Sequence, residues 1–103
     1  MTEAEHIIAT LRAHRAELEA MGVRHAALFG SRARGDARSD SDIDIALRLA
    51  PEAMPEGIRY FGKLADIEEK IGKLFSHTVE ITDETMMRQK VRRFFERDKV
   101  DAF

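Results

Sequence analysis

Most of the residues in this chain that are able to do chemistry fall in one segment, Gly30-Ser31-Arg32-Ala33-Arg34-Gly35-Asp36-Ala37-Arg38-Ser39-Asp40-Ser41-Asp42-Ile43-Asp44. Asp42 and Asp44 stand two apart, and on an extended strand such residues project to the same face about 7 Å apart at the backbone. Two carboxylates held so close repel each other unless a cation joins them. Mg²⁺ suits the pair, because it takes oxygen ligands at about 2.1 Å, keeps several waters and is commonly bound by one or two carboxylates plus nucleotide phosphates. Glu80, in Val79-Glu80-Ile81, is the lone charge of a second alternating segment. From a neighbouring strand it would bring a third carboxylate to the second ion of a two-metal site, where ions sit about 4 Å apart. Gly30 and Ser31 serve a different purpose: backbone amides freed at a strand-to-helix turn, with a serine hydroxyl, bind phosphate oxygens where no side chain blocks approach. Arg32 and Arg34 suit phosphate oxygens, and equally suit balancing Asp36, Asp40 and the carboxylate pair.

Three generic motifs compete for this segment and fail. A P-loop needs Lys and a hydroxyl residue after its second glycine, where Asp36 and Ala37 stand. An EF-hand loop starting at Asp40 would place Ile45 at its turn glycine and Pro51 at its closing glutamate. A dinucleotide fingerprint needs a third glycine and a different spacing. The histidines have no metal-ligand spacing, and His25 and His77 are expected at the surface beside strands. The ordinary alternatives for the acids are a solvated strand edge paired with local arginines and, for Glu80, an exposed strand position.

The elements that must hold these residues follow from hydrophobic period. Thr2 and Glu5 have capping-box spacing ahead of Ile7, Ile8, Leu11, Leu18 and Met21, which predicts one helix ending at Gly22. Val23 to Phe29 is a short apolar run between glycines and reads as a strand. Ile43, Ile45, Leu47 and Leu49 alternate with Asp42, Asp44, Ala46 and Arg48, the clearest strand of the chain. Ile58, Phe61, Leu64, Ile67, Ile71, Leu74 and Phe75 step by threes and fours, giving an amphipathic helix. Thr78 to Thr82 alternates again, and a last helix, capped by Thr82 or Asp83, carries Met87, Val91, Phe94 and Phe95 amid Arg88, Lys90, Arg92 and Arg93. The order is helix, strand, loop, strand, helix, strand, helix. Phe94, Phe95, Val100 and Phe103 exceed what one helix face can bury and are expected to contact a partner.

The 103 residues predict one domain over 1–103. With 17 basic and 19 acidic side chains the net charge is −2, so stable nucleic-acid binding by bulk electrostatics is not expected. There is no cysteine to build disulfides, a thiolate zinc site or a thiol nucleophile, and no apolar run long enough for a membrane span. A soluble, unprocessed, cytoplasmic protein is expected.

Gly30-Ser31, ten residues, Asp42-x-Asp44 and then Glu80 together resemble the polymerase β-type nucleotidyltransferase superfamily. The size resembles its minimal branch, the antitoxins paired with HEPN-domain ribonuclease toxins. The resemblance implies an α/β (α+β) fold, a small mixed sheet flanked by helices. It implies that Asp42, Asp44 and Glu80 bind Mg²⁺, two ions by family analogy, and that Gly30 and Ser31 hold the nucleoside triphosphate. Relatives often carry Asp at the Glu80 position, which leaves open whether Glu80 ligates metal, acts as base, or does neither. The activity implied is transfer of AMP from ATP to a tyrosine hydroxyl of the cognate toxin, silencing it, with a hetero-oligomer of the two proteins. The alternatives are an inactive antitoxin that neutralises by binding alone and a transferase acting on a small molecule.

Overall fold

A computed structural model describes residues 1–103. The chain runs α1 (Glu3–Ala13), α2 (Arg15–Ala20), β1 (Val23–Phe29), α3 (Ser31–Arg34), β2 (Ile43–Leu49), α4 (Ile58–Gly72), β3 (Val79–Asp83), α5 (Gln89–Asp98) and β4 (Val100–Asp101), with 3₁₀ turns at Pro51–Ala53 and Glu84–Met86. The sheet order is β3-β2-β1-β4. β1 pairs antiparallel with β2 and with β4, and β2 pairs parallel with β3 across the α4 connection.

The Thr2–Glu5 capping box forms, yet the first helix is two helices. The His14 ring Nδ1 meets the Thr10 carbonyl at 3.0 Å, and the His14 amide turns to the Leu11 carbonyl at 3.1 Å. An i→i−3 bond of this kind tightens the turn and ends α1. Both pieces still bury Ile7, Ile8, Leu11 and Leu18 against one face of the sheet.

That face is covered by α1, α2 and α4. Ile43, Ile45, Leu47 and Leu49 from β2, Leu28 from β1, Val79 from β3 and Ile67 and Ile71 from α4 form its continuous core. The apolar stripe of α4 does not pack along its whole length: Ile58 is 86% exposed and Phe61 68%. The other face carries a much smaller cluster, Ala27, Ala46 and Phe95, joined by Phe29 and Met87.

The chain end differs from expectation. Phe95 is 1% exposed, with its ring edge-on to Phe29 at 5.5 Å between centroids. Phe103 packs against the main core. β4 adds an edge strand, fixed by Ala102 N donating to the Ala26 carbonyl at 2.8 Å and by Arg12 Nε donating to the Ala102 carbonyl at 2.6 Å. Two of the four apolar residues assigned to a partner therefore complete the chain's own fold, while Phe94 and Val100 stay exposed. A two-residue strand is too short to show a period, so its pairing was invisible in the sequence.

Candidate active site

The predicted acids gather on the lightly covered face, where β1 ends and β2 begins. Asp44 of β2 is in direct register with Glu80 of parallel β3 and with Phe29 of antiparallel β1. Registered residues of neighbouring strands share a face, and Asp42, two residues before Asp44, shares it too. Asp44 is half-buried, while Asp42 and Glu80 are exposed. No three acidic or histidine side chains are drawn together tightly enough to form a metal cage by themselves.

The electrostatics reflect this crowding. Partial burial, then the charges of Glu80 and Asp42, push the Asp44 carboxyl above the usual carboxylate range, and Arg34 opposes them. A carboxylate whose ionised form is disfavoured by burial and by two neighbouring acids has the chemistry of a cation site. With two carboxylates on adjacent same-face positions and open space for phosphates and waters, the donor set fits Mg²⁺.

Gly30 stands at the turn from β1 into α3 with φ +76° and ψ −158°, a conformation essentially restricted to glycine. A Cβ there would lie 2.4 Å from Asp44 Oδ2. The glycine therefore lets the backbone of the Gly30-Ser31 turn lie directly against the half-buried carboxylate. Gly30, Ser31, Asp42, Asp44 and Glu80 are thus brought to one end of the sheet.

The loop between Gly35 and Asp42 is held by a residue whose role the sequence left undecided. Arg32 is 4% exposed; its Nη2 donates to the Ser41 carbonyl at 2.6 Å and to that of Arg38 at 3.3 Å, and its Nη1 donates to Glu3 at 2.7 Å. Ser41 Oγ also accepts from the Arg38 amide at 2.9 Å. Arg32 therefore sets the strand entry that carries Asp42 rather than presenting a charge to phosphate. Nothing in its sequence context distinguishes it from Arg34, because both lie in one turn among acids and the difference is only which way α3 turns each.

Surface cavities lie elsewhere. The largest, about 660 Å³, is at the opposite end of the sheet, lined by residues including Arg24, Arg48, Met54 and Thr85, and none of the cavities includes Asp42, Asp44 or Glu80. The acids lie on an open surface at this end of the sheet.

The family described as Nucleotidyltransferase domain matches residues 11–102. The chain is 31% identical, over 101 residues, to the protein adenylyltransferase MntA of Thermococcus cleftensis, covering 97% of this chain and 96% of that protein. It resembles in fold a chain of a toxin–antitoxin crystal structure with AMP-PNP, with a TM-score of 0.66 and 20% identity over 98% of this chain and 73% of that one. A chain from the complex of tri-AMPylated Shewanella oneidensis HEPN toxin with MNT antitoxin has a TM-score of 0.62 and 15% identity over 93% and 71% of the two chains.

Proposed function

The chain belongs to the nucleotidyltransferase domain family and is a nucleotidyltransferase, and from that premise we propose that it transfers AMP from ATP to a hydroxyl of a cognate HEPN toxin, as an antitoxin. The observation that carries the reading is the register of Asp44 with Glu80, with Asp42 two residues back and the Gly30-Ser31 turn against Asp44. The near-full-length similarity to a protein adenylyltransferase supports AMP as the transferred group. The open site supports a protein acceptor, because this chain has no cavity there to enclose a small one.

Each residue has a role in this scheme. The Gly30-Ser31 amides and the Ser31 hydroxyl hold phosphate oxygens, a task the missing Cβ of Gly30 makes room for. Asp42 and Asp44 would hold Mg²⁺, which when bound offsets the charge gathering on the phosphoryl oxygens. The acceptor hydroxyl oxygen, a tyrosine's by family analogy, forms a bond to the α-phosphorus, the bond to pyrophosphate breaks, and pyrophosphate leaves. Glu80 is exposed on the edge strand β3, in register with Asp44, and takes the hydroxyl proton. We place the protein in the cytoplasm with its toxin; no helix is long and apolar enough to cross a membrane.

The test is the intact mass of the toxin after incubation with this protein, ATP and Mg²⁺. Mass gain in AMP steps is expected, and an Asp42→Asn variant is expected to lose about 10³-fold or more in rate, the scale of metal-assisted charge stabilisation. No mass change with the wild-type protein overturns transfer to the toxin. Full neutralisation by an Asp42→Asn, Asp44→Asn variant favours action by binding alone.

A further inference from the structure

α5 lies over the site face of the sheet with Phe95 turned inward, 1% exposed against Ala27 and Ala46. Helical spacing then sorts its other side chains. Val91, Phe94 and Asp98 share one flank, and Asp98 Oδ2 accepts from Arg34 Nη1 at 3.3 Å, so this flank faces the Gly30-Ser31 end of the sheet. The Asp98 side chain is held there, 9% exposed and bonded also by Arg97 at 2.9 and 3.0 Å. Arg92, Glu96 and Lys99 share the opposite flank, where Arg92 donates to the Glu84 carbonyl and Lys99 lines a cavity with His25 and Arg48. Lys90, Arg93 and Arg97 form the outer ridge, with no acid among them.

The flank facing the site is apolar and uncovered: Val91 is 45% exposed and Phe94 51%, with the Arg97 guanidinium over the Phe94 ring at 5.0 Å. On the ridge, Lys90 and Arg93 are exposed and pair with no acid, whereas Arg92, Arg97 and Lys99 do. Charge is segregated along the chain: residues 88–99 hold six basic side chains and two acidic ones, leaving eleven basic against seventeen acidic elsewhere. An aromatic anchor among arginines has the composition of a protein interface, and a basic helix on an otherwise acidic protein selects a partner of opposite charge. A nucleotide seated at Gly30-Ser31 has no use for Lys90 and Arg93, which stand more than one turn before Asp98 on the outside of the helix. A nucleic-acid strand gains nothing from Val91 and is repelled by the acidic remainder.

We propose that the outer face of α5 is the surface that docks the acceptor protein, with Val91 and Phe94 as its apolar anchor and Lys90 and Arg93 as its charged ridge, and that the acceptor meets it with an acidic surface. The inference rests on the transfer reading and deepens it by naming where the acceptor is held. The bond between Asp98 and Arg34 sets the end of this helix beside the phosphate-holding turn, so a protein docked on α5 is held next to the reacting phosphate.

The experiment measures toxin modification with ATP and Mg²⁺ while each substrate is varied, and toxin binding without ATP, for wild-type protein, Phe94→Ala, a Lys90→Glu, Arg93→Glu variant and an Arg59→Glu, Lys73→Glu control that makes the same charge change on exposed positions of α4. Circular dichroism confirms folding. Phe94→Ala is expected to raise KM and Kd for the toxin about tenfold, the scale of an interface anchor. The reversed ridge is expected to raise both about tenfold or more, with the gap narrowing as salt is added. In both variants kcat at saturating toxin and KM for ATP are expected to stay at the wild-type values, as is every constant of the α4 control. Wild-type toxin affinity in both α5 variants overturns the proposal, as does a KM for ATP that rises in step, which would assign the face to the nucleotide, or loss of single-stranded RNA binding with toxin binding intact. Wild-type protein that binds the toxin and never modifies it overturns the transfer reading, while the binding measurement still decides the surface, so the two failures are distinguishable.

Discussion

On one face of the sheet Ile43, Ile45, Leu47 and Leu49 lie under α1, α2 and α4, each at most 2% exposed; on the other, Asp42 and Asp44 alternate with them and α5 is the main cover. The same strand thus serves two environments at a spacing of one residue. Water is excluded from the first, where dispersion and burial hold the fold. On the second, partial burial and the charges of Glu80 and Asp42 raise the proton affinity of Asp44, which costs stability for the sake of binding a cation. The contrast teaches that stability and chemistry are separable in this protein, and substitutions on either face sharpen or break that separation.

The largest effect is expected on the packed face. Leu47→Ala removes a fully buried side chain and is expected to lower unfolding free energy by about 2–5 kcal/mol, measured by urea denaturation. Transfer assayed well below the melting temperature is expected to stay close to wild type. Loss of transfer in fully folded Leu47→Ala would break the separation.

Gly30→Ala acts where the two regions meet. The positive φ costs a residue with a side chain about 1–2 kcal/mol, and the added methyl displaces the Asp44 carboxylate. A moderate fall in stability with a far larger fall in transfer is expected. Equal activity of a folded Gly30→Ala variant would mean that contact between the turn and Asp44 is not needed.

The smallest effect has the opposite sign. The folded state holds the Asp44 proton more tightly than the unfolded chain does, so this residue lowers stability above its raised pKa, and the deficit disappears as pH falls below the ordinary carboxylate range. Metal-free Asp44→Asn is therefore expected to melt slightly above wild type at neutral pH, with the gap closing in acid, as scanning calorimetry would register. Mg²⁺ with AMP-PNP is expected to raise the melting temperature of wild type and not of the variant. A variant that melts lower at neutral pH would show that Asp44 stabilises the free fold instead.

What could be read from the sequence was whatever has a local cause. Alternation in Ile43 to Leu49 put Asp42 and Asp44 on one face, because side chains of a strand reverse at each residue. The Thr2–Glu5 box gave the start of the first helix, because both partners lie within one turn. Gly30 was legible as a turn, and the strand-to-helix geometry there follows from its missing side chain.

Tertiary structure alone decided the rest. The register of Asp44 with Glu80 depends on how α4 returns the chain, and 36 residues separate the two in sequence. The fates of Arg32 and Arg34 diverge because one faces the Ser41 carbonyl inside the loop and the other faces α5, a helix that begins some fifty-five residues later. β4 exists only because β1 offers it an edge. Period and capping are properties of neighbours along the chain, whereas pairing, burial and ion contacts are properties of neighbours in space, which packing brings together.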